Sequence, residues 1–328
     1  MSTHPLGEGS LPTPALACAL CGASQDRALF PMPEGFAVVE CPACGLVSTS
    51  PALPASKIGR YYPETYYGKK NRRFNPVLEK LVVFFRLRRV REIERRAARG
   101  RVLDVGCGRG ILPALMRTRG WDAHGVEISS TAARHAIEEL GVPVFVGPLE
   151  ESDYPEGFFD AVVIWHVLEH VQDPRAALAK ARAILKPGGL LMVAVPNFDS
   201  LQAKAGGPVW FHLDVPRHYF HFRLRVLRKL LEEQGFTVEK VSHFSLEQNP
   251  YGWIQTLLNR LGIRANLLYD LLKRRGARSV GSPWRESPGQ TLATLAALPL
   301  VVPLSFLLFL LEATIRRGGT VEVYARRK

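Results

Sequence analysis

Residues 101–110, RVLDVGCGRG, carry the strongest fold signal in this 328-residue chain. An apolar strand runs directly into glycines at positions 106, 108 and 110 and then into a helix, so the backbone can approach a ligand closely at the carboxyl end of the strand. From residue 101 to residue 196 strand patterns alternate with helix patterns, and further strand patterns follow at 237–244 and 320–327. The alternation predicts an α/β fold whose largely parallel sheet is doubly wound by helices.

Two acidic residues flank the glycine loop. Asp104 directly precedes the glycines, where its charge would repel a pyrophosphate and suit a cationic ligand. Glu127 ends the next strand, where a carboxylate can accept both hydroxyls of a ribose. The two acids together predict a site for a positively charged nucleoside. The alternative is that Asp104 caps a turn and Glu127 is a solvated strand end.

In these residues the chain resembles the class I S-adenosylmethionine-dependent methyltransferases, over residues 101–244 and the last strand. Further matches are FDAVV at 159–163, KPGG at 186–189 and WHVLEH at 165–170, the last being similar to the quinone and glycan O-methyltransferases. The resemblance implies a Rossmann-like seven-stranded sheet with an antiparallel last strand, and S-adenosylmethionine as cofactor. The cofactor contacts that it implies are Asp104, Gly106, Cys107, Gly108, Gly110, Glu127, Leu149, Glu150, Trp165 and His166.

The adenine contacts are where the chain departs from this family. Residues 147–150 read GPLE, whereas the family often has Asp or Asn there against the adenine amine. We therefore expect the Leu149 backbone and the Glu150 side chain to take that place.

Residues 210–222, WFHLDVPRHYFHF, form the acceptor segment, since the acceptor-facing insertion of the family lies after the fifth strand. A hydroxyl acceptor needs a general base. We predict His218 or His212 as the base and Asp214 or Arg217 as its orienting group. Alternatively, the rings pack a lid and the histidines bind backbone carbonyls. The side chains predicted to bind acceptor are Trp210, Tyr219 and His221.

The sequence around Pro216, Arg217 and His218 also resembles a stretch of bacterial methyltransferases associated with polysaccharide biosynthesis. That resemblance implies a glycan or lipid-linked acceptor. His170 is equally well interpreted as a structural partner of a backbone carbonyl or as a catalytic group.

Four of the five cysteines form two Cys-x-x-Cys pairs, Cys18 with Cys21 and Cys41 with Cys44. This spacing predicts a four-thiolate Zn²⁺ ribbon in a reducing compartment. An iron site, or a ribbon that has lost its metal, is the alternative. Cys107 is interpreted as a small residue of the glycine loop without a redox role.

The balance of 43 Lys and Arg against 30 Asp and Glu gives a net charge of +13, which favours a phosphate-bearing partner, either nucleic acid or an anionic membrane. No charged residue lies between Ser287 and Leu311, a run long enough to cross a bilayer. Because the last strand must return to the sheet, we expect a re-entrant hairpin bent at Pro299 and Pro303 that enters the membrane from one side. An apolar interface between copies of the chain, or a buried helix pair, is the alternative. Basic clusters flank the run at Lys273, Arg274, Arg275, Arg278 and Arg285 before it, and at Arg316 and Arg317 after it.

These patterns divide the chain into four parts: a zinc-ribbon unit at 1–56, a connector with a basic amphipathic helix at 57–100, a cofactor-binding domain at 101–248 and 319–328, and an apolar helical insertion at 249–318. The first 15 residues lack a secretory pattern, so we expect a cytoplasmic protein, peripheral or monotopic at the inner face of the cell membrane.

The resemblance implies methyl transfer to a hydroxyl of a glycan, a lipid-linked sugar or another membrane-borne small acceptor. Two alternatives are a ribosomal RNA methyltransferase with a zinc unit and a non-catalytic scaffold. We favour a membrane surface over nucleic acid as partner, and a homo-oligomer stays open.

Overall fold

The computed structural model describes residues 17–24, 26–54, 57, 59–61, 76–272 and 287–328. Most of the predicted connector, at 62–75, and the basic cluster at 273–285 lie outside these residues. In chain order the strands are β1 (Arg27–Pro31), β2 (Ala37–Glu40), β3 (Val47–Ser50), β4 (Arg101–Val105), β5 (Asp122–Glu127), β6 (Val144–Val146), β7 (Phe159–Trp165), β8 (Leu185–Pro196), β9 (Phe220–His221), β10 (Phe236–Ser242) and β11 (Thr320–Arg327).

The helices are numbered separately, also in chain order. They are α1 (Pro76–Glu94), α2 (Ile111–Arg117), α3 (Ser130–Glu138), α4 (Pro174–Ile184), α5 (Leu201–Gly206), α6 (Leu224–Glu233), α7 (Asn249–Arg260), α8 (Leu267–Leu272) and α9 (Pro288–Thr314).

Seven strands form the larger sheet in the order β10-β11-β8-β7-β4-β5-β6. Strands β6, β5, β4, β7 and β8 are parallel, whereas β11 pairs antiparallel with both β8 and β10. Strands β8 and β11 are buried over most of their length because the sheet is covered on both faces. This order confirms the predicted Rossmann-like sheet with an antiparallel last strand. The carboxyl ends of β4, β5 and β7 open at one edge, where such folds bind ligands.

Four antiparallel strands form a smaller sheet in the order β1-β2-β3-β9. Strands β1 to β3 belong to the cysteine unit, which we define as the described residues from 17 to 54. Strand β9 belongs to the acceptor segment, and Val47 of β3 lies opposite His221 of β9. Val38 and Val47 also pack in one apolar cluster with Trp210 and Leu213. The cysteine unit is therefore joined to the acceptor segment by a shared sheet and a shared core.

Helix α9 is one continuous helix of 27 residues, so the expected re-entrant hairpin is wrong. A proline removes the amide donor that would bind the carbonyl four residues earlier. Pro299 and Pro303 both lie on the exposed side of α9, whereas its opposite side packs along α7. This packing keeps the helix continuous past both prolines. Among the described residues, α9 is the one helix whose length and composition alone would let it cross a bilayer.

Candidate active site

The loop after β4 requires glycine for two reasons. Gly106, Gly108 and Gly110 have φ angles of 70°, 55° and 77°, in the left-handed region that side chains disfavour. A Cβ on Gly106 would also collide with Cγ2 of Val167. The backbone conformation and the packing of this loop therefore both require glycine, and its close approach to a ligand stays a prediction.

The two predicted acids lie at this loop, and both are buried. The carboxylate of Glu127 accepts hydrogen bonds from Gly108 N at 2.8 Å and from Ser129 N at 2.9 Å. A carboxylate offers about four lone-pair positions, so it can accept from more than one donor at a time. Burial raises the pKa of Asp104 to about 6, although Arg89 and Arg86 lower it. An acid in such a position gains from a cationic ligand.

Helix α1 covers the cofactor edge of the sheet, which the sequence did not reveal. The buried guanidinium of Arg89 stacks 3.4 Å above the ring of Trp165, the side chain predicted to line the cofactor pocket. Glu247 holds Arg89 at 2.7 Å and Arg86 at 2.6 Å. Arg109 of the glycine loop binds Glu79 of the same helix at 2.8 Å. Arg86 and Arg89 of α1 thus lie close enough to Asp104 to lower its pKa, and both are paired with Glu247.

The segment predicted to contact adenine is a short turn after β6. Leu149 is buried, and its carbonyl accepts hydrogen bonds from the backbone and hydroxyl of Ser152. Glu150 is half-buried in the same turn. Their adenine contacts stay predictions. Cys107 is buried, and a Cβ on Gly125 would lie 2.5 Å from its sulfur, so only a small residue fits at 107.

His218 is held in the acceptor segment by a hydrogen bond of its own ring. Its Nδ1 lies 2.9 Å from the His212 carbonyl, which can only accept, so Nδ1 carries the proton and Nε2 is the basic nitrogen. Nε2 lies 3.7 Å from Asp214 Oδ2, and Oδ1 of Asp214 accepts from Arg217 at 3.1 and 2.5 Å. The three predicted residues are therefore brought together, with Asp214 between the arginine and the imidazole.

The other histidines of the acceptor segment are also neutral. Burial lowers the pKa of His212 and of His221 to about 3, and lowers that of His218 well below its usual value. The Nε2 of His212 faces Gly252 of α7, whose added Cβ would lie 2.7 Å away. His212 and His218 are equally buried, and Nε2 of His212 has no hydrogen-bond partner among the described residues.

Trp210 and Tyr219, predicted to stack on the acceptor, are both buried in packing. Trp210 Nε1 donates to Gln202 at 2.9 Å, and the Tyr219 hydroxyl donates to the Leu53 carbonyl at 2.8 Å. These contacts agree with the alternative that the rings pack a lid. Acceptor binding by these two residues and by His221 stays a prediction.

A group of potential metal ligands that the sequence reasoning missed joins the WHVLEH segment to the acceptor segment. Glu169, His170 and His218 place one potential ligand atom each within 4.8 Å of the others. Glu169 is fully buried, and its Oε1 lies 3.1 Å from Nδ1 of His166. His170 Nδ1 donates to the Arg217 carbonyl at 3.0 Å, the structural role considered for it. The acid and histidine of WHVLEH were visible in the sequence, but His218 is 48 residues further along.

The four cysteines of the two pairs converge on one point. The sulfurs of Cys18 and Cys44 lie 3.6 Å apart, as do those of Cys21 and Cys41, and all four lie within 4.8 Å of one another. A Zn–S bond of about 2.3 Å in a tetrahedron implies S···S separations of about 3.8 Å. Gly22 and Gly45 adopt φ angles of 73° and 76°, which lets the chain turn after each second cysteine. This geometry fits a tetrahedral metal site and not a disulfide.

Comparisons with known proteins cover the larger sheet. A family profile described as a methyltransferase domain matches residues 77–241, half of the chain. The ubiquinone biosynthesis O-methyltransferase of Thiobacillus denitrificans is 37% identical over 204 residues, which covers 58% of this chain and 85% of that protein. The enzyme of the same name from Alkalilimnicola ehrlichii is 39% identical over 105 residues, 30% of this chain and 42% of that protein. The chain spans about half or less of the length of most such curated relatives.

Among solved structures, a SAM-dependent methyltransferase from Archaeoglobus fulgidus matches with a TM-score of 0.47 and 20% identity, over 83% of this chain and 100% of that one. This likeness is too distant to support a conclusion.

The strand order, the antiparallel β11 and the glycine loop between two acids define a Rossmann-like fold of the methyltransferase class. With the profile match over half of its length, the chain belongs to the methyltransferase domain family. The cysteine unit and α9 lie outside the matched residues.

Proposed function

We propose that this protein transfers a methyl group from S-adenosylmethionine to a hydroxyl of a membrane-borne small molecule. The observation that carries the proposal is the buried pair Asp104 and Glu127 at the glycine loop, on the sheet edge where the loop after β7 contacts the acceptor segment. The two regions meet at His166, whose ring lies 6.3 Å from that of His212.

The cofactor would supply an electrophilic methyl group on a sulfonium. Asp104 offers the buried negative charge that a cation next to the glycine loop needs, and Glu127 offers acceptor capacity for a ribose. Such a displacement is in line, so the main task of the protein is to hold donor and nucleophile collinear.

The acceptor hydroxyl loses its proton during transfer, and we assign its uptake to Nε2 of His218. A neutral imidazole is the form that can accept a proton, and burial keeps His218 neutral. Once protonated, the ring would lie next to the Asp214 carboxylate, which Arg217 holds in place. Asp214 would therefore stabilise the charged form of the base, whereas the neutral ring is oriented by the bond from its Nδ1 to the His212 carbonyl.

We assign Zn²⁺ to the four cysteines as a structural metal, because the spacing of their sulfurs fits a tetrahedral site. It would hold together a small unit whose buried residues include Val38 and Val47, which pack against the acceptor segment.

Helix α9 supports a membrane surface as partner, because its polarity is inverted. Four of the residues that it buries against the protein are polar: Thr291, Thr294, Ser305 and Glu312. Leucines occupy much of its outward side, among them Leu300 at 79% and Leu307 at 66% exposure. A helix of a soluble protein shows the opposite arrangement.

Charge and attachment indicate how α9 would meet the bilayer. Exposed basic residues lie at both of its ends: Arg264, whose amide binds Gln290, and the pair Arg316 and Arg317. At the other end Glu312 accepts from Gly319 N at 3.1 Å, just before β11. Since both ends are held by the folded protein, α9 would lie in the plane of an anionic cytoplasmic leaflet.

The test of transfer uses S-adenosylmethionine labelled in its methyl group. We expect label in the lipid extract when the protein is incubated with bacterial membranes that lack its product. Within that extract, label on a reduced quinone would match the name of the relatives, and label on a lipid-linked sugar would match the glycan interpretation. Calorimetry showing no S-adenosylmethionine binding would overturn the proposal in favour of a scaffold, and label in ribosomal RNA would favour the RNA alternative.

The test of the membrane partner is co-sedimentation with vesicles. We expect binding to phosphatidylglycerol-containing vesicles, weakened by salt, and lost in the double variant Leu300→Glu, Leu307→Glu. Ile137→Glu, which changes an exposed apolar residue of α3, is the control and should still bind. Unchanged sedimentation of the α9 variant would overturn this part of the proposal, and so would a wild-type dimer that the same variant converts to a monomer.

A further inference from the structure

Among the contacts between the cysteine unit and the acceptor segment is one buried hydroxyl, that of Thr49 on β3. Thr49 Oγ1 donates to the His218 carbonyl at 2.6 Å and lies 3.1 Å from Nε2 of His221. Its amide donates to the Tyr219 carbonyl at 2.9 Å. Thr49 therefore touches three residues of the acceptor segment, although it lies outside the part of the chain that the methyltransferase profile matches.

The hydrogen-bond chemistry fixes the protonation of His221. A hydroxyl has one proton to donate, and the His218 carbonyl can only accept it. For its second bond, Thr49 Oγ1 must accept, so Nε2 of His221 carries a proton. Burial keeps His221 uncharged, with a pKa of about 3, so its Nδ1 has no proton. Thr49 thus selects one of the two neutral tautomers of His221.

The same bond restrains the proposed base. The His218 carbonyl is anchored by Thr49, while Nδ1 of His218 is anchored by the His212 carbonyl. One hydrogen bond therefore holds the backbone of His218 and another holds its ring, so together they fix the direction in which Nε2 points. A displacement of about 1 Å in such a group can reduce turnover by about 10²-fold.

We propose that Thr49 is a positioning residue, supplied by the cysteine unit, that sets the direction of His218 and the tautomer of His221. The proposal deepens the function proposed above and rests on it only where turnover is concerned. It assigns to the cysteine unit a role in handling the acceptor, separate from cofactor binding.

Neighbouring hydrogen bonds restrain the position of β3, the strand that carries Thr49. Strand β3 follows Cys44 closely, and Cys41 N donates to the Leu46 carbonyl at 2.8 Å, which links the metal knuckle to the start of β3. Arg175 of α4 reaches the Leu20 carbonyl at 2.8 Å from the other side. A metal held by the four cysteines would thus fix the start of β3, the strand that pairs with β9.

The test compares Thr49→Val, which keeps the shape of the side chain and removes its hydroxyl, with Thr49→Ser, which restores the hydroxyl. Ser48→Ala, on the neighbouring β3 residue, is the matched control. Long-range ¹H–¹⁵N spectra of the full chain report the tautomer of each histidine without any acceptor. We expect the His221 signal to show a protonated Nε2 in wild type, Thr49→Ser and Ser48→Ala, and to shift toward a protonated Nδ1 in Thr49→Val.

Two further measurements separate this proposal from the proposed function. Calorimetry should give the same S-adenosylmethionine affinity for all four proteins. With the acceptor fraction found by labelling, Thr49→Val should lower kcat by about 10-fold or more with little change in KM, and Thr49→Ser should restore most of it. An unchanged His221 tautomer in Thr49→Val would overturn the proposal, whereas absence of transfer by every protein would overturn the proposed function and leave the tautomer result valid.

Discussion

At the residue scale, Asp104 is the side chain whose chemistry most directly tests the cofactor site. Its pKa is raised to about 6, so the carboxyl is ionised above that pH and neutral below it. A cationic ligand favours the ionised form. We therefore expect S-adenosylmethionine affinity, measured by calorimetry, to fall as the pH is lowered through 6.

Asp104→Asn should bind the cofactor about 10- to 100-fold more weakly at pH 8, the range expected for a lost charge-assisted contact, and should show no inflection near pH 6. Asp122→Asn is the control, because Asp122 lies at the end of β5 opposite to Glu127. This variant should keep both the affinity and the inflection of the wild type. A wild-type affinity that is constant from pH 5 to pH 8 would contradict this role of Asp104.

His218 gives the second test at this scale. His218→Ala should leave cofactor affinity nearly intact and lower methyl transfer by about 10²-fold or more, because a general base contributes on that scale. His212→Ala, which removes a ring packed against Gly252, should affect stability more than the chemical step. Unchanged transfer by His218→Ala would move the role of base to another group.

How far the sequence predicted the site depends on how far apart the partners lie in the chain. Asp104, the glycines and Glu127 were predictable because one βαβ unit brings them together with fixed spacing. Thr49 was not, since its partner His218 is 169 residues away. Arg89 was hidden for a different reason: it belongs to a run of arginines, and nothing in the pattern shows which of them turns inward onto Trp165.

At the element scale, α9 shows the limit of hydropathy. The uncharged run correctly predicts an apolar insertion, but the prolines within it wrongly predict a bend. Tertiary packing decides otherwise, because the polar side of the helix, which includes Thr294 and Ser305, is fully buried against the protein. Hydropathy averages over all sides of a helix and does not reveal that the polar side faces inward.

The buried Glu312 of α9 makes this packing testable by pH. Burial raises its pKa to about 8 from 4.5, so the folded state holds a proton that the unfolded state releases. The free energy of unfolding should therefore fall as the pH rises from about 4.5 to about 8, and stay level above that. The full effect is on the order of 5 kcal/mol.

Glu312→Gln removes this dependence. Its thermal midpoint relative to wild type should rise from pH 5 to pH 8, and the difference should be constant at higher pH. Glu151→Gln, which changes an exposed acid in the turn after β6, is the control and should follow the wild-type curve. A constant difference between Glu312→Gln and wild type across this range would contradict a buried neutral acid.

At the scale of the whole molecule, the acceptor segment joins two parts of the protein that are distant in sequence, and its strand β9 completes the smaller sheet. The larger sheet supplies the cofactor edge, while the cysteine unit supplies β3 to pair with β9. Arg223 strengthens this connection by binding Glu40 of β2 at 2.9 Å and Asp199 after β8 at 3.3 Å. The sequence predicted both parts but not their contact, because a two-residue strand such as β9 has no recognisable pattern.

Because β3 and β9 share a sheet, we predict that loss of the metal also reduces the protection of amides outside the cysteine unit. Treating the protein with a chelator, or replacing Cys44 by Ser, should release β3, and β9 would then lose its only sheet partner among the described residues. In hydrogen exchange we expect amides at 47–50 and 219–222 to exchange at least about 10-fold faster together, while β7 and β8 stay protected. Cys107→Ser, which changes the one cysteine outside the metal site, should leave exchange at 47–50 unchanged. If 219–222 kept their protection while the cysteine unit exchanged freely, the two parts would be independent, and the acceptor segment would have to be held by the larger sheet alone.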